Sequence, residues 1–222
     1  MPPRPPPLPA GLYGVCDDTA RPDLPLPAQA RLLLEGGVRV LQLRMKRTPT
    51  RPAVAVVREV SRLAAEAGAF CLVNDRVDWA LVGGAHGVHL GDEDLPVEDA
   101  RALLGPGALI GATARGAEGA ARARAQGADY VGMGPLFATR TKVVEAPVMG
   151  LARLAEEVAR APLPVVAIGG ITLAQMEEVG RSGAHGAAVV SDVLCQADVP
   201  ARARLLQAAF DRGARGRSLP TS

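Results

Sequence analysis

Eight short, almost wholly apolar runs recur along this chain, and segments with helical spacing separate most of them. The runs are LYGVC (12–16), VRVLQL (38–43), FCLV (70–73), GVHL (87–90), ALIGA (108–112), YVGMG (130–134), PVVAIG (164–169) and GAAVVS (186–191). A strand that is apolar at nearly every position, rather than at alternate ones, is covered on both faces, as in a parallel sheet. Between the runs, PAQARLLLEG, AVVREVSRLAAEAG, LARLAEEVARA, TLAQMEEVGRSG and ARARLLQAAFDRG carry apolar residues three and four apart, and RVDWALVGG is a shorter candidate. A recurring phrase of Gly, small residue, polar residue and apolar run marks the junctions: GAHGVHL, GADYVGMG and GAHGAAVV. It reads as a helix ended by a left-handed glycine and followed by a strand.

Strict alternation with eight strands predicts a single-domain α/β protein, a TIM (β/α)8 barrel. A doubly wound open sheet is the runner-up, but it gathers its site at one switch point. Here polar candidates follow the second to the eighth strands, as at the C-terminal rim of a barrel. The expected organisation is a disordered Pro-rich arm at 1–10, the barrel at 11–212 and a disordered basic tail at 213–222. The arm, MPPRPPPLPA, offers almost no apolar residues to dock, so its loss is expected to be harmless.

Aromatic residues make up only 3% of the chain, so the core must be built from Val, Leu, Ile and Ala. The net charge of +2 is spread along the sequence, which argues against a nucleic-acid surface. Cys16, Cys71 and Cys195 are odd in number, widely separated and without metal-ligand spacing, as in a reduced cytoplasmic protein. No apolar span of about 18 residues and no signal-peptide pattern occurs, so neither membrane insertion nor secretion is indicated.

Of 25 basic residues only two are lysines, Lys46 and Lys142, and Asn74 is the only asparagine. All three follow predicted strands. A compact ammonium and a planar guanidinium are not interchangeable, so lysine kept at two strand ends points to a task. Gln42, Arg44 and Lys46 alternate as the second strand ends, which puts one amide and two cations on one face. That face suits a polyanion such as a diphosphate. Asn74 and Asp75 leave the third strand, and Asp92, Glu93 and Asp94 crowd a turn after the fourth. Carboxylates from neighbouring strands beside a cationic pocket fit Mg²⁺ completed by ligand phosphate. For Asp75 the competing role is a helix N-cap. His89 reads as a core or supporting histidine. Thr139, Arg140, Thr141 and Lys142 follow the sixth strand; a GG pair and Ser191 follow the seventh and eighth, where barrels often bind phosphate.

In order, LYGVCDD, QLRMK, NDRVDWAL, GVHLGDEDLP, IGAT, GADYVGMGPLFATRTK, VVAIGGI and GAAVVSDV resemble the thiamine-phosphate synthase (thiamine-phosphate pyrophosphorylase) family over about residues 11–210. The resemblance implies a TIM barrel that joins a hydroxymethylpyrimidine diphosphate to a thiazole phosphate, releasing diphosphate. It implies that Gln42, Leu43, Arg44, Met45 and Lys46, with Asn74, Thr113 and Lys142, hold the pyrimidine diphosphate. Arg44, Lys46, Thr113 and Lys142 would be catalytic, and Asp75 and Asp94 would hold Mg²⁺. Thr139, Arg140, Thr141, Gly170, Val190 and Ser191 would hold the thiazole phosphate. The chain departs from the family at Thr113, commonly Ser, at Asp92, often Gln, at Ala138, usually Pro, and at the VVEAP stretch (143–147). A thiazole tautomerase and a non-catalytic thiazole-phosphate sensor are the alternatives, and homo-oligomerisation stays open. The tautomerase has no need of the cationic strand with an acidic pair.

Overall fold

The computed structural model describes residues 5–138 and 147–216. Eight parallel strands close into a barrel in sequence order. They are β1 (Gly11–Asp17), β2 (Val40–Arg44), β3 (Phe70–Asn74), β4 (Gly87–Leu90), β5 (Leu109–Ala114), β6 (Tyr130–Met133), β7 (Val165–Ile168) and β8 (Gly186–Val189). β8 pairs back onto β1 with Gly186 beside Gly11, so the sheet has no open edge and the TIM-barrel expectation holds. The helices α1 (Leu26–Glu35), α2 (Thr50–Glu66), α3 (Val77–Gly83), α4 (Val97–Leu104), α5 (Ala117–Ala125), α6 (Leu151–Arg160) and α7 (Leu173–Arg181) follow the first seven strands in turn. A short α8 (Ser191–Leu194) and a long α9 (Val199–Arg215) follow β8.

The two-residue period of the strands divides the core into two layers. Leu12, Leu41, Leu43, Val73, Leu90, Ile110 and Met133 face outward and pack on the helices. Tyr13, Val15, Val40, Leu72, Leu109, Tyr130, Val166 and Ala188 face inward and fill the barrel. Going up the strands, the inward series passes from these apolar residues to Asp17, Gln42, Arg44, Asn74, His89 and Thr113. The same periodicity that makes the core therefore delivers polar side chains to the C-terminal mouth.

Two sequence expectations are corrected by the packing. Leu8 is buried inside the barrel floor with Tyr13, Leu109 and Tyr130, and its carbonyl meets His185 Nε2 at 2.7 Å. The chain is therefore docked at Leu8, against the expectation of a disordered arm: a single leucine among prolines shows no periodicity but still packs into the barrel floor. At the other end, α9 continues to Arg215 and buries Gly213, beyond the expected boundary at 212. Unannounced by any helical pattern in the sequence, α5 has no large apolar stripe because its buried face consists of Ala117, Ala120 and Ala123. Alanine is the strongest helix former and lets the helix lie close to the strands.

Candidate active site

β2 sets the cationic face. Its burial pattern leaves Arg44 half-buried at the rim, while Leu43 and Met45 are buried among the helices. Gln42, Arg44 and Lys46 thus share the inward face, and the side chains of Leu43 and Met45 point away, leaving only their main chain to a ligand. Gln42 is buried and its amide donates to the Tyr13 hydroxyl at 2.8 Å. Arg44 Nη1 lies 2.5 Å from Asp17 Oδ2, and Lys46 Nζ lies 2.5 Å from Asp75 Oδ2.

Asp75 has φ 65°, the one non-glycine residue with positive φ among the described residues. Aspartate tolerates this left-handed conformation better than most side chains. The backbone turn is fixed by Asp75 N donating to His89 O at 2.9 Å and Arg76 N donating to Asn74 O at 2.8 Å. The helix-cap alternative fails, because Arg76 occupies the N-cap of α3 and no side chain caps it. Instead the Asp75 carboxylate takes Lys46 and lies close enough to Asp94 for the two carboxyl groups to influence each other. Gly91 N donates to Asp94 Oδ2 at 2.7 Å, tying that carboxylate into its turn. Burial, then the adjacent Asp75, push the Asp94 carboxyl above its ordinary value. Asp92 points elsewhere, pairing with Arg115 at 3.6 Å between exposed side chains.

A paired, partly buried set of two carboxylates, with cations alongside, is a hard-oxygen donor set of the kind Mg²⁺ takes when phosphate oxygens and waters complete its shell. No group of three or more His, Cys, Asp or Glu residues suited to a metal occurs among the described residues. The fit is therefore to a metal shared with a ligand, not to a closed protein cage.

Beneath the mouth runs a polar chain that the sequence reading missed. Tyr13 and Tyr130 hydroxyls lie 2.9 Å apart, Tyr130 meets His89 Nδ1 at 3.1 Å, and His89 Nε2 meets Thr113 Oγ1 at 3.4 Å. With Gln42 on Tyr13, the chain links β2 to β5 across the barrel. Burial pushes the pKa of both phenols well above the ordinary value, so both remain neutral and able to donate. Gly111 makes the room, since a Cβ there would lie 2.1 Å from the Tyr130 ring. The available signal was that the chain's only two tyrosines both lie inside predicted strands. His89 is the supporting core histidine that was expected.

On the far side of the mouth, the loop after β6 runs along the end of β7: Leu136 N donates to Ile168 O at 2.9 Å and Phe137 N to Gly169 O at 3.0 Å. Gly170 has φ +65°, and a Cβ there would lie 2.5 Å from Ala138 O, so the position takes only glycine comfortably. Val190 and Ser191 lie at the start of α8, beside this turn in chain topology. Asp192 receives a bidentate Arg202, from Nη2 at 2.8 Å and Nε at 3.1 Å, and accepts from Leu173 N at 3.1 Å, which ties α8 to the first turn of α7. Thr139, Arg140, Thr141 and Lys142 lie outside the described residues.

The comparisons with known proteins agree with this geometry. The family model described as thiamine monophosphate synthase matches residues 12–193. A thiamine-phosphate synthase of Myxococcus xanthus is 55% identical over 211 residues, covering 95% of this chain and 97% of that protein. One from Anaeromyxobacter dehalogenans is 52% identical, covering 84% of this chain and 83% of that protein. Among solved structures, the thiamine phosphate pyrophosphorylase from Pyrococcus furiosus superposes with a TM-score of 0.84 at 37% identity, covering 92% of this chain and 96% of that one. The chain belongs to the thiamine monophosphate synthase family.

Proposed function

We propose that the protein is a thiamine-phosphate synthase: a transferase that joins 4-amino-2-methyl-5-(diphosphomethyl)pyrimidine to a thiazole phosphate, releasing diphosphate and giving thiamine phosphate. The observation that carries this reading is the meeting of the Gln42–Arg44–Lys46 face with the Asp75–Asp94 pair, through Lys46 Nζ at 2.5 Å from Asp75. A diphosphate ester needs both cations and a shared metal; a thiazole phosphate alone needs neither, so nothing in this corner favours the tautomerase.

In this reading Asp75 and Asp94 would hold Mg²⁺, which would supply positive charge beside the diphosphate when bound. Arg44, steadied by Asp17, and Lys46 place fixed positive charge where the leaving group gathers negative charge. Lys142 would do the same from the loop after β6. Asn74, Gln42 and Thr113 orient the pyrimidine diphosphate, and the Tyr13–Tyr130–His89 chain holds Gln42 and Thr113 in place. The methylene C–O bond breaks first, the aminopyrimidine ring stabilises the cation, and the thiazole nitrogen then forms the new C–N bond. No proton or protein nucleophile is required for these steps. Thr139, Arg140, Thr141, Gly170, Val190 and Ser191 would hold the thiazole phosphate on the opposite side. A cytoplasmic setting suits three free thiols, Cys16, Cys71 and Cys195; no helix among the described residues is long and apolar enough to cross a membrane.

The test is to incubate the purified protein with both substrates and Mg²⁺. Thiamine phosphate and diphosphate should appear in equal amounts, and neither should form when the thiazole phosphate or the metal is left out. Isomerisation of a thiazole carboxylate phosphate without diphosphate release would instead favour the tautomerase.

A further inference from the structure

β1 ends at Asp17 and is followed at once by Asp18, and both aspartates turn toward β2. Asp17, wholly buried, takes the Arg44 guanidinium on Oδ2, while its Oδ1 accepts from Thr19 N, Thr19 Oγ1 and Ala20 N. Asp18 does something different: its side chain takes main chain. Its Oδ1 accepts from Lys46 N at 2.9 Å, and its Oδ2 accepts from Arg47 N at 2.9 Å, Thr48 N at 2.9 Å and Thr48 Oγ1 at 2.8 Å. The Asp18 amide also donates to Arg44 O at 3.2 Å, one step past the last register pair of β1 with β2, Asp17 with Arg44. One residue therefore extends the strand pairing and captures three successive N–H groups of the turn that follows.

Those N–H groups belong to the segment that carries Lys46 out of the sheet. β2 ends at Arg44 and α2 starts at Thr50, so the ladder and the helix leave this turn to other partners. The Lys46 side chain is 45% exposed, which means that packing does little to place it. Met45 is buried and anchors one side; Asp18 anchors the other. Burial of the Asp18 carboxylate acts to raise its pKa, but the N–H groups of Arg47 and Lys46 and the Thr48 donors outweigh burial and hold it below the ordinary value. It is thus an anion at neutral pH, set under a turn that carries Lys46 and Arg47.

We propose that Asp18 is a positioning residue for the diphosphate: by fixing the main chain at 46–48 it sets where the Lys46 ammonium stands relative to Asp75 and to the leaving group. This rests on the function proposed above. It assigns Asp18 no contact with substrate; it acts through the turn. A charged group misplaced by about 1 Å can cost on the order of 100-fold in rate, so a hold on the backbone matters even without ligand contact.

The experiment compares wild-type protein with Asp18→Ala and Asp18→Asn in the full chain, using three readouts. Hydrogen exchange without ligand should show slow amides at Lys46, Arg47 and Thr48 in the wild type and exchange faster by roughly 10-fold or more in Asp18→Ala, matching the loss of a hydrogen bond to a charged acceptor. Calorimetry with inorganic diphosphate and Mg²⁺ should show affinity falling by about 10-fold, with thiazole phosphate affinity within about 2-fold. In turnover, KM for the pyrimidine diphosphate should rise and KM for the thiazole phosphate should not. Asp18→Asn keeps one acceptor oxygen and should fall between the two; it supplies the reading if the alanine variant does not fold. Faster exchange with unchanged diphosphate affinity overturns the proposal, as does an equal loss for both ligands, which would mark a purely structural role. If the wild type makes no thiamine phosphate, the function reading fails by itself, and exchange and inorganic diphosphate binding still decide the role of Asp18.

Discussion

Arg44 Nη1 lies 2.5 Å from Asp17 Oδ2, and the Asp17 side chain is fully buried while Arg44 keeps 15% of its side chain exposed. One end of the guanidinium is committed to the protein and the exposed edge is left for an anion. The neighbouring pair, Lys46 with Asp75, is far more open, with side chains 45% and 21% exposed. The two cations should therefore separate stability from binding. Arg44→Ala strands a buried carboxylate and should cost about 3 kcal/mol of folding stability. Lys46→Ala breaks an exposed pair and should cost less than about 1 kcal/mol. Both should impair use of the pyrimidine diphosphate. Urea denaturation beside steady-state kinetics checks this; equal stability losses would mean that burial of Asp17 does not govern the pair.

The docking of Leu8 bears on truncation. Removing residues 1–4 should leave the melting temperature unchanged, whereas removing 1–9 or making Leu8→Ala empties the barrel floor. The cost of Leu8→Ala should be about 2 kcal/mol or more, a fall in Tm of roughly 4–8 °C for a chain of this size. Scanning calorimetry of the three variants decides it. An unshifted Tm for Leu8→Ala would show that the arm contributes nothing to the core.

Lys142 is one of only two lysines in the chain. Lys142→Ala should lower kcat by about 100-fold or more, the scale expected when a charge that stabilises a leaving group is lost. Arg31→Ala, at an exposed pair with Glu59, is the control and should stay near wild type. Near-normal turnover by Lys142→Ala at saturating substrate would leave that lysine outside the reaction.

His86 gives the fold a pH dependence. Its Nδ1 accepts from Cys71 N at 3.1 Å, and burial holds its pKa below the ordinary value. In the unfolded chain a histidine titrates near about 6.5. Between that value and the lower native one the unfolded state binds more protons, so the stability His86 contributes is present above about pH 6.5 and is lost as pH falls through the native value. Urea midpoints at pH 5 and 7.5 should differ more in the wild type than in His86→Gln, whose side-chain oxygen still accepts from Cys71 N. Identical pH slopes would assign the dependence to other groups.

How much of this was legible in the sequence depended on the range of the interaction. The barrel was readable because most strands are apolar on both faces and most helix-to-strand junctions carry a glycine. The cationic face was readable because Gln42, Arg44 and Lys46 obey a two-residue period within one strand. The acidic pair was readable as chemistry, but not its geometry: the positive φ of Asp75 turns it away from the helix it was positioned to cap. What escaped were partners set by closure of the barrel. Tyr13 and Tyr130 stand 117 positions apart on strands that are not neighbours, and no local pattern announces that they touch. Asp18 lies 28 to 30 positions from the amides it holds, so its role follows from strand pairing and not from composition.

The proposed function requires two chemically distinct anion sites in one mouth, one of them linked to a metal through Asp75 and Asp94. Titration calorimetry of each substrate, with Mg²⁺ and with EDTA, tests it on the wild type, Asp75→Asn and Asp94→Asn. Mg²⁺ binds weakly to one or two carboxylates alone and gains from phosphate ligands, so metal and pyrimidine diphosphate should bind cooperatively. Loss of the metal or of either carboxylate should weaken the pyrimidine diphosphate by about 10-fold or more, a coupling of roughly 1.4 kcal/mol. Thiazole phosphate should bind alike in all cases. A pyrimidine diphosphate affinity indifferent to EDTA and to both substitutions would contradict the account.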